Sequence, residues 1–149
     1  MRASSVLLLA GLAATVLGQD DGHDIKSLRF HDLTESNFEH IVVSPKGKLM
    51  NIPWLVMFYA PWCGHCKRLM PIMDDFAEQY GDGERLHVGR VNCDDHKQIC
   101  TAYDVSGYPT IAYLHGDYFY EFKGPRTAEN LKNFVFNGEY EQAESERLP

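Results

Sequence analysis

Residues 54–67 of this chain read WLVMFYAPWCGHCK, and this stretch decides how the rest of the sequence is interpreted. Its first six residues are all apolar, as in a strand that is buried on both faces of a sheet. Pro61 and Trp62 end the strand, and apolar side chains then recur at helical spacing from Cys63 to Tyr80. The stretch therefore predicts a buried strand that leads directly into a helix with two cysteines in its first turn.

The same patterns predict the element order β-α-β-α-β-α-β-β-α. Strands that alternate with helices indicate an α/β fold with a central, mostly parallel sheet and helices on both faces. The last two strands flank His115-Gly116-Asp117, which predicts a hairpin and hence an antiparallel edge. We expect one domain over residues 27–137, followed by an acidic solvated tail over residues 138–149, which hold four glutamates.

The N-terminus is typical of a secretory signal peptide over residues 1–18. Arg2 is basic, and residues 6–17 form an apolar run of twelve residues, too short to span a bilayer. A buried or membrane-anchoring N-terminal helix is the alternative. No later segment is long and apolar enough to predict a membrane span. Entry into the secretory pathway would place the cysteines where paired thiols persist as disulfides.

Acidic side chains outnumber basic ones, 21 to 14, and give a formal net charge of −7. This balance argues against nucleic acid or an anionic membrane surface as the main partner.

Cys63 and Cys66 lie three residues apart, on one face of the predicted first turn, so their sulfur atoms are within bonding reach. The first amides of a helix lack intrahelical partners and carry partial positive charge, which stabilises a thiolate at Cys63 and lowers its pKa. His65, when protonated, would add a second positive charge. Cys66 lies deeper in the helix. We therefore expect Cys63 to exchange with a partner disulfide and Cys66 to resolve the mixed disulfide.

Two other interpretations of the pair are an inert structural bridge and a zinc site. Structural zinc takes four ligands, commonly from two closely spaced cysteine pairs. Cys93 and Cys100 are separated by six residues, which is the wrong spacing, and the histidines show no ligand spacing. We expect no metal.

Three motifs together resemble the catalytic domain of the protein disulfide isomerases, which has the thioredoxin fold. They are APWCGHCK at 60–67, VNC at 91–93 and VSGYPT at 105–110, and the resemblance covers residues 27–137. It implies that the two cysteines of CGHC are the nucleophile and the resolving thiol, in the order given above.

The resemblance also implies roles for residues outside the pair. Pro109 would be a cis proline beside the cysteines, and the backbone at Tyr108 would pair with an extended substrate segment. Trp62 and Tyr108 would form an apolar rim for unfolded chains, with ordinary packing as the alternative. Arg126 would lower the pKa of the resolving cysteine, with a solvated surface arginine as the alternative.

Several family members have a structural disulfide at the spacing of Cys93 and Cys100, and two free buried thiols are the alternative. The family usually has a buried acid six residues before the first cysteine, as proton acceptor for the resolving thiol. Here Met57 occupies that position, and it cannot take a proton. Arg90 matches the acid's usual basic partner, so we expect it to lack that partner. We expect Cys66 to deprotonate slowly; the alternative is that Met57 only fills the core and a water carries the proton.

We therefore predict a thiol–disulfide oxidoreductase or isomerase that assists oxidative folding of secretory-pathway proteins. It would use the cysteine pair without another cofactor, act as a monomer, and exchange electrons with glutathione or an upstream thiol oxidase. The alternative is a non-catalytic module that binds clients or a partner protein. The endoplasmic reticulum lumen is the expected compartment; because the chain ends ESERLP, without a KDEL-type signal, secretion is the alternative, and so is a piece of a longer protein.

Overall fold

The structure is a computed structural model that describes residues 27–43 and 51–149. The predicted signal peptide, residues 1–18, lies outside the described residues. The strands are Phe30–Asp32 (β1), Trp54–Tyr59 (β2), His87–Asn92 (β3), Thr110–His115 (β4), Tyr118–Glu121 (β5) and Ser145–Arg147 (β6). The helices are Phe38–Ile41 (α1), Gly64–Tyr80 (α2), Lys97–Ala102 (α3) and Ala128–Phe136 (α4).

All six strands form one sheet in the order β1-β3-β2-β4-β5-β6. β1, β3 and β2 run parallel, as the alternation of strands and helices predicted, and β4 pairs antiparallel with β2. The predicted hairpin joins β4 and β5 through Gly116, whose φ of 64° is readily adopted by glycine. Two of the five strand pairings are therefore parallel and three antiparallel, so the sheet is mixed, and β2 pairs parallel with β3 on one side and antiparallel with β4 on the other.

The position of β2 explains its uninterrupted apolar sequence. Leu55, Met57 and Tyr59 face the core under α2 and α4, whereas the alternate side chains face the core under α1 and α3. All six residues of β2 are buried, because both faces of the strand are covered. The strand ends beside Cys63, so this rigid central element positions the start of α2.

The C-terminal segment differs from its prediction. Residues 138–149 are mostly exposed, as expected of an acidic segment, but they are part of the domain. Gly138, at a φ of 79°, leads into a 3-10 turn over Glu139–Gln142, and β6 then pairs antiparallel with β5. The ring of Tyr140 lies 4.9 Å from that of Tyr113, which anchors the segment on the sheet. The prediction of a tail outside the domain is therefore wrong.

No helix in the described part of the chain has both the length and the apolar character that crossing a membrane requires.

Candidate redox site

The two cysteines of CGHC lie at the start of α2, directly after β2. Cys63 occupies the N-cap position with extended backbone, and Cys66 is in the first turn. Both side chains are free thiols in this structure and both are buried, with 8% of Cys63 and 1% of Cys66 exposed. Cys63 is therefore the more accessible of the two cysteines.

The environment of Cys63 stabilises its thiolate. Burial alone acts to raise its pKa, but hydrogen bonds from the backbone N–H of Cys66, the Cys66 thiol and the backbone N–H of His65 act in the opposite direction. The positive charge of Arg126 adds to them, and the pKa of Cys63 falls below its ordinary value. Helix-terminal amides thus have the effect that the sequence predicted.

The environment of Cys66 keeps its proton in place. Burial is the main cause, and the hydrogen bond and negative charge of Cys63 act in the same direction. A hydrogen bond with the backbone of Ala60 and the charge of Arg126 oppose them, but the pKa of Cys66 still rises to about 12. Of these two thiols, one helical turn apart, Cys63 therefore ionises at a lower pH than Cys66.

Arg126 lies on an exposed loop between β5 and α4. Its positive charge acts to lower the pKa of both cysteines, against the effect of burial, which acts to raise both. Sequence analysis assigned Arg126 to the resolving cysteine alone, whereas the structure places it within electrostatic range of the whole pair.

The loop before β4 lies against the cysteines. The Tyr108–Pro109 peptide bond is cis, and the Cys63 thiol donates a hydrogen bond to the carbonyl oxygen of Tyr108 at an S–O distance of 3.6 Å. The indole of Trp62 is 68% exposed and packs edge-to-face on the Tyr108 ring, with ring centroids 6.0 Å apart. Trp62 and Tyr108, the apolar rim that the family resemblance implied, therefore lie beside the more exposed of the two cysteines.

Met57 lies in the same core cluster as both cysteines and is fully buried. Its register partners are Arg90 on β3 and Ile111 on β4. A thioether sulfur does not take up a proton near neutral pH, so the side chain at this position cannot act as a base for Cys66.

Arg90 lies opposite Met57 and so has no acid at its usual partner's position, but Asp32 supplies a carboxylate in its place. Its Nε donates to Asp32 Oδ1 at 2.6 Å, and its Nη2 donates to Asp32 Oδ2 at 3.4 Å. Its Nη1 also contacts the sulfur of Met70, and its guanidinium lies over the rings of Phe30 and Tyr59. The largely buried cation is thus compensated from β1, the neighbouring strand, and not from position 57.

Sequence analysis missed Arg68. Its Nη2 donates to Nδ1 of His65 at 2.8 Å, between two exposed side chains at the start of α2. The three-residue spacing was an available signal, because residues i and i+3 are neighbours on a helix surface.

Cys93 and Cys100 lie away from this pair, at the end of β3 and in α3. They are joined by a disulfide, with Cα atoms 5.8 Å apart. Both belong to the core cluster under α1 and α3, on the opposite face of the sheet from Cys63 and Cys66. Within the residues that the structure describes, no three histidine, cysteine or acidic side chains are grouped closely enough to hold a metal ion.

The chain is similar in sequence to a known protein family and to several characterised proteins. The thioredoxin family model matches residues 29–137. A probable protein disulfide-isomerase A6 of Medicago sativa is 45% identical over 105 residues, 69% of this chain and 27% of that protein. The matched segment thus spans only about a quarter of the length of the first relatives found, and 27% of this one.

Two further proteins match this chain over most of the length of both chains. Protein disulfide isomerase-like 5-1 of Oryza sativa subsp. japonica is 32% identical over 148 residues, which cover 99% of this chain and 93% of that protein. The first thioredoxin domain of mouse protein disulfide-isomerase A4, solved in solution, is 29% identical, with a TM-score of 0.62, 83% of this chain covered and 86% of that one.

Proposed function

The chain belongs to the protein disulfide isomerase family and has the thioredoxin fold predicted from its sequence, and from this premise we propose that it catalyses thiol–disulfide exchange through Cys63 and Cys66. The observation that carries the proposal is the opposite behaviour of the two thiols. The pKa of Cys63 is lowered, and the pKa of the more deeply buried Cys66 is raised to about 12. In such a pair Cys63 is the nucleophile and Cys66 is the resolving thiol.

Reduction of a substrate disulfide then takes two steps. The Cys63 thiolate attacks one substrate sulfur, the substrate S–S bond breaks, and the other substrate sulfur leaves as a thiolate. Cys66 then loses its proton and attacks the Cys63 sulfur, which releases the second substrate thiolate and leaves the Cys63–Cys66 disulfide. Two electrons pass to the substrate. The same steps in reverse oxidise a substrate dithiol. Reduction of one disulfide followed by oxidation of a different cysteine pair rearranges the disulfides of the substrate.

The substrates we propose are proteins with exposed cysteines. The carbonyl of Tyr108 lies 3.6 Å from the Cys63 sulfur and offers a backbone acceptor where an extended segment would pass. The exposed indole of Trp62 supplies an apolar surface at the same place. Roles in binding for Trp62, Tyr108 and Pro109 follow from this position, and Arg126 acts on the thiols through its charge.

The compartment and electron partners belong to the same proposal. Disulfide chemistry of this kind takes place in the secretory pathway, and we assign the chain to the endoplasmic reticulum lumen, with secretion as the alternative. Glutathione or an upstream thiol oxidase would restore the oxidised pair, with no other cofactor. For this domain by itself, oxidase and reductase activities are expected to exceed isomerase activity, because the substrate surface of a single domain is short.

A non-catalytic client-binding module is the second candidate, and Met57 favours it. With no base at this buried position, Cys66 resolves a mixed disulfide slowly, so in this candidate the cysteines contribute little and the domain holds its clients without covalent bonds.

An insulin-reduction assay separates the two functions. The native chain should reduce insulin, Cys63→Ser should abolish the activity, and Cys66→Ser should accumulate a mixed disulfide that is visible on a non-reducing gel. If the native chain and Cys63→Ser were equally inactive while both bound unfolded protein, the binding module would be the correct function.

A further inference from the structure

A cluster of two histidines and one tryptophan lies at the opposite end of the sheet from the cysteines. Trp54 and His87 are register partners that begin β2 and β3, and their rings stack with centroids 4.5 Å apart. His31 of β1 completes the cluster, because its ring lies 5.6 Å from that of Trp54 and 6.0 Å from that of His87. The three parallel strands are therefore joined at one place by two imidazoles and an indole.

Gly89 makes room for this histidine–tryptophan cluster. It pairs with His31 on one side and with Val56 on the other, so it lies in the middle of the three strands. A Cβ atom at this position would lie 3.1 Å from Trp54 Cζ3 and 2.6 Å from the side chain of Leu33. The indole therefore packs directly on the backbone of β3 and is buried.

Protonation of the two imidazoles is unfavourable in this place. Burial is the largest cause that lowers the pKa of His31 and of His87, and His31 acts to lower the pKa of His87 further. Two charged imidazoles would repel each other, since their 6.0 Å separation is shorter than the Debye length of about 8 Å at physiological ionic strength. Cation–π attraction to the indole favours a charge, but only the His87 ring lies nearly parallel to it.

The neighbouring groups compensate an added proton only in part. In the described residues, Asp32 and Asp82 are the acids whose charge raises the pKa of His31 and of His87 respectively. Both acids are already paired with arginines, Asp32 with Arg90 at 2.6 Å and Asp82 with Arg85 at 2.9 Å. The buried indole N–H also has no hydrogen-bond acceptor within this part of the chain, so the cluster offers no spare acceptor to a further N–H donor.

We propose that His31, Trp54 and His87 form an acid-sensitive contact, which stabilises the packing of β1 on the sheet while both imidazoles are neutral and weakens when they take up protons. Because the pKa of each histidine is lower in the folded chain, the unfolded chain binds more protons once the pH falls below 6.5. The stabilisation is therefore complete above that pH and is lost below it. The inference is separate from the proposed exchange function, since the cluster does not include the cysteines.

The first test compares variants that keep a ring but lose the titrating group. His31→Phe/His87→Phe does so within the cluster. His115→Phe is the matched control, because His115 also stacks on an aromatic ring, that of Tyr113 at 5.5 Å, but is exposed. Between pH 7 and pH 5.5, the urea-unfolding equilibrium constant of the native chain should rise more than that of the double variant, by roughly threefold for each histidine. His115→Phe should keep the native pH dependence.

The second test is an NMR titration of the imidazole Cε1 protons, which needs no unfolding and also decides the matter if the double variant does not fold. In the native chain His87 should titrate below pH 6.5, and in His31→Phe its titration should move to higher pH, because the neighbouring imidazole is removed. Three results would each overturn the inference: a native His87 that titrates at or above pH 6.5, an unmoved titration in His31→Phe, or equal pH dependence of unfolding in the native chain and the double variant.

Discussion

Cys63 and Cys66 are one helical turn apart, yet their surroundings shift the two pKa values in opposite directions. Helix-terminal N–H groups and Arg126 outweigh burial at Cys63, whereas burial dominates at Cys66. The asymmetry follows from depth in the helix. A thiol at the N-cap meets unpaired amides, and a thiol in the first turn meets the core.

This asymmetry predicts selective alkylation of the reduced pair. Iodoacetamide at pH 7 should modify Cys63 before Cys66, because only the thiolate reacts and the pKa of Cys66 is about 12. Peptide mass spectrometry after a short pulse measures the two sites separately. Equal labelling of the two cysteines, or faster labelling of Cys66, would contradict the assignment of Cys63 as nucleophile.

The raised pKa of Cys66 also predicts that stability falls at alkaline pH. The folded chain keeps this proton up to a pKa of about 12, against an ordinary value of 9.0. The resulting stabilisation is fully present below the unfolded pKa and is lost as pH rises toward the folded value, by about 1.4 kcal/mol for each pH unit.

The measurement uses a chain in which Cys66 titrates without its neighbour. Between pH 9 and pH 10.5 (roughly the window in which only the unfolded thiol ionises), urea unfolding of Cys63→Ala should lose stability relative to Cys63→Ala/Cys66→Ala. Burial, the largest cause of the shift, remains in the single variant. Parallel pH profiles for the two variants would show that Cys66 is not held in its protonated form.

Met57→Glu should accelerate release of the mixed disulfide. A carboxylate at this buried position would accept the proton of Cys66, and a positioned base typically gains rate, here roughly tenfold or more. Burying the new polar group should cost about 1–3 kcal/mol of stability. Stopped-flow measurement of the resolution step tests the effect, with Met57→Gln as the uncharged control. An unchanged rate, or an equal gain with glutamine, would sink the explanation.

Arg126→Ala should slow the reaction of both cysteines with their partners. Its charge lowers the pKa of each thiol, but the side chain is exposed, so we expect a change of roughly two- to fivefold in the Cys63 alkylation rate near neutral pH. Arg126→Lys should keep most of the native rate. Raising the salt concentration should shrink the difference between Arg126→Ala and the native chain, and salt-independent rates would argue against an electrostatic role.

The Cys93–Cys100 disulfide should stabilise the domain without taking part in exchange. Its ends are seven residues apart, and closing so short a loop contributes about 2.5 kcal/mol in the chain-entropy model. Cys93→Ala/Cys100→Ala should lower the unfolding free energy by that amount while insulin reduction persists. Thiol blocking of the native protein followed by mass spectrometry is the direct check, and finding both residues alkylated would rule out the bridge.

Local patterns predicted the elements that carry the chemistry. The apolar run of β2 has no polar break because both of its faces are covered, and helical spacing after Cys63 marks α2. Each of these patterns lies within one continuous stretch of sequence, so β2 and α2 can be predicted without knowing how distant segments pack.

Contacts between distant segments were beyond such patterns. The pairing of Arg90 with Asp32 joins residues 58 apart and depends on the register of β1 against β3. β6 is three polar residues with no strand periodicity, and its pairing depends on the free edge of β5. The first helix of the predicted order, α1, is a single turn of four residues, Phe38–Ile41.

The place of β6 at the sheet boundary has one more consequence. β5 carries Tyr118, Phe119 and Tyr120 in succession, and an unpaired strand of this kind is a template for sheet-to-sheet aggregation. β6 pairs with this strand and covers its edge, and the three residues of β6, serine, glutamate and arginine, are all exposed. The sheet therefore ends in a charged edge that resists growth by strand addition.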